Sequence, residues 1–128
     1  MESKLKNICI IDDDSIHILS TKTMLNVSGY QGDFLTYENG KMAYDGLIDN
    51  PKSPDVILLD INMPVMNGWE FLMQLSKTVD LSSVPPIYIM TSSIDEADRN
   101  KAKQFLIVKD FLTKPFTVDG ARDFLSKF

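Results

Sequence analysis

The chain has 128 residues, 44% of them apolar and 24% charged, with a formal net charge of −5. That length suits one domain with a sizeable core and leaves too little for a second. Acids and bases are interspersed with no Lys/Arg stripe, which argues against nucleic acid as a direct partner.

The apolar runs are far shorter than the ~20 residues a membrane-spanning helix needs. The start, MESKLKN, has no apolar stretch behind its lysines and does not read as a secretory signal. Lone Cys9 lies in an apolar run and reads as a small buried thiol of a reducing, cytoplasmic protein.

Residues 7–11, NICII, form a continuous apolar run that ends in Asp12, Asp13 and Asp14. Such a run reads as a buried strand with the acids at its carboxyl end. Ser15 opens a helical pattern with Ile16, Leu19, Thr23, Met24 and Val27 on one face, and Gly29 stops it. Phe34 to Tyr37 make a second short strand, and Glu38-Asn39-Gly40 a turn. Met42, Ala43, Leu47 and Ile48 mark a second helix, ended by Asn50-Pro51.

Residues 55–68, DVILLDINMPVMNG, are the stretch around which the rest is arranged. Val56 to Leu59 read as a strand buried on both faces that stops at Asp60; a loop with Pro64 and Asn67-Gly68 follows at once. A third helix runs from about Gly68 to Val79, with Trp69, Leu72, Met73 and Leu75 among its apolar positions. Pro85-Pro86 breaks the chain, and Ile87 to Met90 form a fourth strand leading into Thr91-Ser92-Ser93. The segment 95–104 is polar, with Ile94, Ala97, Ala102 and Phe105 as a thin apolar stripe, and such a helix is weakly docked. Phe111-Leu112 suggests a short fifth strand before Thr113-Lys114-Pro115-Phe116. Thr117 can N-cap a last helix whose Phe124 and Leu125 pack inward.

Strands alternating with helices predict an α/β fold, a (βα)5 doubly wound parallel sheet covered on both sides. In the order 2-1-3-4-5 the first and third strands are neighbours, with their carboxyl ends at the switch point where open α/β sheets place their chemistry. No repeat, low-complexity tract, linker or output domain is legible, so residues 1–128 read as a single domain.

Under that topology Asp12, Asp13 and Asp60 converge on one rim. Two anions about 4 Å apart repel by roughly 4 kcal/mol at an effective dielectric of ~20. Three carboxylates therefore call for a cation or for raised pKa values. A site of carboxylates and water suits Mg²⁺, which takes a phosphate readily as a further ligand. Thr91 ends the fourth strand with a hydroxyl and Lys114 the fifth with an ammonium. A metal, an ammonium and a hydroxyl around one carboxylate are what phosphorylation of that carboxylate needs.

The segments IIDDDS, VILLDINMP followed by NG, IMTS and FLTKPF resemble the response-regulator receiver family of two-component signalling, of the chemotaxis-regulator type, over essentially the whole chain. The resemblance implies the flavodoxin-like receiver fold. It implies Asp60 as phospho-acceptor, supplied by a histidine kinase or a histidine phosphotransfer protein, with no catalysis beyond self-phosphorylation and autodephosphorylation. Asp13 would bind Mg²⁺ directly, Asp12 through water and Asn62 through its backbone carbonyl, with Asp60 completing the set. Lys114 would contact the phosphoryl group, held by a cis bond before Pro115. Thr91 and Phe111 match the switch pair, and an output protein would read the face built from the fourth helix, fifth strand and fifth helix. Phosphorylation could also drive dimerisation through the last helices. The sequence departs from the common pattern at Phe111, often Tyr, and at Ser92 and Ser93. It also lacks a small Gly-Ala pair in Ile107-Val108-Lys109-Asp110, so that loop is expected to differ in shape.

Plainer readings cover other residues. Asp14 reads as a helix cap or solvated acid, with a metal contact as the alternative, His17 as a solvated helix residue that is neither carrier nor ligand, Trp69 as packing, and the methionines as scattered core filler. Three other functions fit parts of the chain. Asp12-x-Asp14-x-Ile16 approximates the D-x-D-x-[TV] motif of haloacid-dehalogenase-like phosphatases, with Asp12 as nucleophile, though its last position is imperfect and no cap insertion exists. A flavodoxin-type flavin site would set a phosphate against the acidic loop after the first strand. A degenerate receiver would fold and bind without being phosphorylated.

Overall fold

The apolar runs after Lys6, Asp55 and Pro86 become the three inner strands of one parallel sheet in a computed structural model, which describes residues 4–49, 54–80, 83–92 and 94–128. In chain order the elements are β1 (Asn7–Ile11), α1 (Ser15–Val27), β2 (Asp33–Tyr37), α2 (Gly40–Asp49), β3 (Val56–Asp60), α3 (Gly68–Thr78), β4 (Ile87–Thr91), α4 (Glu96–Ala102), β5 (Val108–Thr113) and α5 (Val118–Leu125). The strand order is β2-β1-β3-β4-β5, every pair parallel. Ile11 of β1 lies opposite Leu59 of β3, so the residues that follow each strand emerge side by side.

Every residue of β3 and β4 is buried, because helices cover both faces. On one face Ile8, Ile10, Val56, Leu58 and Met90 pack with Leu25 of α1 and Phe124 of α5. On the other, Cys9, Ile11, Ile57, Leu59 and Ile89 pack with Leu47 of α2 and Phe71 and Leu72 of α3.

The helices differ from expectation in the face they bury. In α1 the inward residues are Ile18, Thr21 and Leu25, whereas Ile16, Leu19 and Val27 are exposed. The helix carries two apolar stripes, and polar Thr21 interrupts the inner one, so the outer stripe is the more regular in sequence. Gly29 does end α1, in the left-handed region (φ 111°), its N–H donating to Asn26 O while Tyr30 N–H donates to Leu25 O. Met42 of α2 and Met73 of α3 are exposed, so the methionines are not uniformly core filler; fully buried Phe71 takes the inner position in α3. The Asn50-Pro51 stop and Ser93 lie outside the described residues.

On the β5 side, α4 is shorter than the sequence suggests. Asp95 caps it by accepting from Asp98 N–H, Ala97 is exposed, and Ala102 is its buried residue. Conversely, β5 is longer: it begins at Val108, so 108–110 is strand rather than loop. Ile87 pairs with Val108 and Tyr88 with Asp110, leaving Lys109 as the extra residue of a bulge. Thr117 caps α5 by accepting from Gly120 N–H at 3.0 Å.

Candidate functional site at the carboxyl ends of the strands

Four of the five strands, all but β2, hand a polar side chain at or just past their carboxyl end to the same rim. Asp12 follows β1 directly; its N–H donates to Tyr37 O, and its Oδ1 accepts from Asp14 N–H at 3.0 Å. Asp60 closes β3, and its Oδ1 accepts from Asn62 N–H at 3.3 Å. Both are buried, at 2% and 5% exposure, while Asp13 between them faces solvent. One carboxylate oxygen from each of Asp12, Asp13 and Asp60 falls within 4.8 Å of the others.

The counter-charge comes from beyond β5. Lys114 Nζ lies 3.1 Å from Asp12 Oδ2 and 3.4 Å from Asp60 Oδ2, bridging the two buried acids. Its backbone is fixed as well: Lys114 N–H donates to Thr91 O at 2.8 Å, and the peptide to Pro115 is cis. Thr91 is buried at the end of β4. Phe111 stands back from the rim, opposite Ile89 in register and on the same face of the sheet as Thr91. Its half-buried ring lies under the Arg99 guanidinium of α4, 5.8 Å from the centroid.

The loop after Asp60 is held close by Gly68. Gly68 N–H donates to Ile61 O at 2.8 Å, and a Cβ there would lie 2.7 Å from Asp60 O. Only glycine lets the start of α3 fold against the end of β3 so tightly. Asn67 caps α3 in a reciprocal capping box with Glu70. Between Asp60 and this cap Val65 adopts φ 67°, with Met66 N–H donating to Pro64 O at 2.7 Å. That is a γ-turn centred on a β-branched residue, a strained arrangement next to the acids.

Burial pushes the Asp60 carboxyl up to about 6; Lys114 opposes this, Asp12 adds to it, and the Asn62 N–H again lowers it. One ammonium thus faces three carboxylates, leaving the rim short of positive charge. The clustered donors are hard carboxylate oxygens, and such a set fits Mg²⁺ better than a soft metal.

His17 corrects the sequence reading. It is not solvated: its side chain is 11% exposed and its Nδ1 is 2.5 Å from Asp12 Oδ2. The signal was present. Asp14 caps α1 through Ile16 and His17 N–H, which makes His17 the third residue of the helix. Helical side chains lean toward the N-terminus, here toward the end of β1. Asp14 is therefore a cap, as expected, and the Asp12-x-Asp14-x-Ile16 motif does not assemble: Asp14 points into its own helix and Ile16 into solvent.

A parallel α/β sheet with acids and a lysine at the switch point defines a class of phosphate- and metal-handling domains. Comparison with known proteins narrows it. The family model of the response regulator receiver domain matches residues 8–126. PilH of Pseudomonas aeruginosa is 36% identical over 112 residues, covering 87% of each chain. KdpE of Mycobacterium tuberculosis is 29% identical over 112 residues, and there the match spans 88% of this chain but only 46% of KdpE. Among solved structures, a two-component response regulator from Legionella pneumophila matches with TM-score 0.80 at 26% identity, over 96% of this chain and 99% of that one. The chemotaxis protein CheY4 of Vibrio cholerae matches with TM-score 0.76 at 25% identity, over 96% and 98%. The chain belongs to the response regulator receiver family, the phosphorylatable switches of two-component signalling. Such domains are signalling proteins rather than classical enzymes, and no helix among the described residues is long and apolar enough to cross a membrane.

Proposed function

We propose that Asp60 is the residue phosphorylated. The observation that carries this is the meeting of its buried carboxylate with Asp12, Asp13 and the bridging Lys114. Above a pH of about 6 Asp60 is ionised and able to act as nucleophile. In the transfer, a carboxylate oxygen of Asp60 bonds to phosphorus as the bond from phosphorus to the donor breaks: to a histidine nitrogen of a kinase or phosphotransfer protein, or to the acetate oxygen of acetyl phosphate. The donor leaves with the electron pair of the broken bond.

Asp13, Asp12, Asp60 and the Asn62 carbonyl would hold Mg²⁺, Asp12 through water. When bound, the ion supplies positive charge to the phosphoryl oxygens. Lys114 meets the same oxygens, and the Thr91 hydroxyl donates a hydrogen bond. As Thr91 moves toward the phosphoryl group, the Phe111 ring turns inward into the vacated space, and α4, β5 and α5 shift. An output protein reads that face, or a second copy of the chain pairs through it. The exposed apolar side chains that follow the acids in sequence, Ile16 and Val65, both 78% exposed, offer a donor protein a surface to dock on. Residues 1–128 act as one receiver domain in the cytoplasm, and its chemistry is limited to its own phosphorylation and dephosphorylation.

The test is to mix the protein with Mg²⁺ and acetyl phosphate and weigh it intact. Mass should rise by one phosphoryl unit, and neither Asp60→Asn nor chelator-treated protein should gain it. Steady phosphate release that survives Asp60→Asn and dies with Asp12→Asn would instead favour the phosphatase reading. A folded, Mg²⁺-binding protein that takes no phosphoryl group would be a degenerate receiver.

A further inference from the structure

His17 lies behind the rim and holds one of its acids. A carboxylate only accepts, so the hydrogen between His17 and Asp12 is on Nδ1 and the imidazole is the donor. The other ring nitrogen, Nε2, is buried with no hydrogen-bond partner, so the Asp12 contact is the one polar role the ring fills among the described residues. Asp12 Oδ2 is shared: it receives His17 Nδ1 at 2.5 Å and Lys114 Nζ at 3.1 Å. Lys114 is in turn divided, since its Nζ is also 3.4 Å from Asp60 Oδ2.

We propose that His17 is a positioning residue for phosphoryl uptake: by holding Asp12, it frees Lys114 to follow the charge that gathers at Asp60. This rests on the reading of Asp60 as phospho-acceptor. A phosphoryl group brings further negative charge and strong acceptor oxygens to Asp60. To meet them, Lys114 must give up the closer of its two carboxylates. A buried carboxylate stripped of its partners is costly, and that cost would hold Lys114 back. With His17 and the Asp14 N–H in place, Asp12 keeps a donor on each oxygen after Lys114 moves. The imidazole is not one of the clustered ligand groups, which are Asp12, Asp13 and Asp60. It acts one shell further out, as the orienting partners of metal ligands do.

Three variants of the full chain separate donation from packing. His17→Asn sets an amide N–H where Nδ1 stands, His17→Gln sets one nearer Nε2, and His17→Leu fills the space with no donor. Labelling by acetyl phosphate is followed by intact mass at saturating Mg²⁺, Mg²⁺ affinity is measured separately by calorimetry, and folding is checked by circular dichroism. His17→Leu and His17→Gln should label about tenfold more slowly at saturating Mg²⁺, and His17→Asn should recover most of the rate. If His17→Leu does not fold, the contrast between Asn and Gln decides alone. A Leu variant that labels like wild type overturns the proposal; so does a folded Asn variant as slow as Gln. If wild type takes no phosphoryl group, the Asp60 reading fails and this inference falls with it. A normal wild type beside unaffected variants removes His17 alone.

Discussion

The two sides of the β3–β4 pair are built differently. At the β1–β3 rim the two buried acids are each fixed by more than one contact: Asp12 by Lys114, His17 and the Asp14 N–H, and Asp60 by Lys114 and the Asn62 N–H. On the other side α4 is the lightly held element, although β5 is paired to β4 along its length. There α4 buries Ala102, Phe111 is covered by an exposed Arg99, and β5 starts with a bulge. Between α3 and α4 runs a cleft of about 350 Å³, where Trp69 and Phe105 stack 6.2 Å apart beneath Lys101. Chemistry that needs charges in fixed places sits on the over-determined side. Under the proposed function, response, which needs two arrangements of similar free energy, falls to α4 and its surroundings, which have little to lose by moving.

The largest way to break this contrast is to remove the cation that joins the two buried acids. Lys114→Met leaves Asp12 and Asp60 facing each other, and losing one partner of a buried pair costs about 3 kcal/mol or more. Urea denaturation at neutral pH without Mg²⁺ should show that loss, and added Mg²⁺ should restore part of it. Asp60→Asn works in the opposite direction. A free aspartate titrates near 3.8 and Asp60 at about 6. Between those values the folded chain holds a proton the unfolded chain has lost, so stability falls as pH rises through the window. Above it the full deficit, about 3 kcal/mol at 1.36 per unit, is in place. Asparagine keeps the shape without the charge. The variant should therefore be more stable than wild type by about 2 kcal/mol at pH 7.5, allowing for relaxation, and the two should converge below pH 4. A gap that persists there would mean the gain is not electrostatic.

Most of the rim was legible because strand ends carry their own punctuation. Asp12, Asp60, Thr91 and Lys114 each follow or close an apolar run, and the alternation of strands and helices fixes which runs are neighbours. What was hidden depends on which way a helix turns. The two stripes of α1 compete in sequence, and the losing one, Ile18, Thr21 and Leu25, won because Leu25 packs fully into the core while Thr21 fits within it. The same rotation decides His17: reading it as a solvated helix residue took no account of which way the first turn faces, and the cap at Asp14 was the better guide. The length of β5 was hidden too, since Lys109 and Asp110 are polar and exposed, and only pairing with β4 makes them strand. Val65 gave no signal at all, because nothing in a valine announces a positive φ.

That residue offers a finer probe of the rim. Val65→Gly removes the side chain that disfavours φ 67° while leaving the Met66 to Pro64 hydrogen bond free to form. Relief of the strain should raise stability by about 1 kcal/mol, less the added freedom of glycine in the unfolded chain. Thermal denaturation reads the sign; a clear loss would mean the exposed valine makes a contact worth more than its strain.

The smallest expected effect falls on the soft side and tests whether it is soft. Arg99→Ala removes the cation over the Phe111 ring, an exposed contact worth about 0.5–1 kcal/mol. Global stability should shift by no more than that, and labelling of Asp60 by acetyl phosphate should proceed at the wild-type rate, because Arg99 touches none of the acids. Amide exchange in α4 and in the first half of β5 should nevertheless quicken, since the contact ties the exposed helix to the strand beside it. If the substitution destabilises the fold as much as Lys114→Met does, then α4 is anchored as firmly as the rim. The division between a rigid site and a yielding flank would then be wrong. If exchange quickens in α4 alone and β5 stays protected, the yielding unit is the helix, and Phe111 moves only when the phosphoryl group draws Thr91 away.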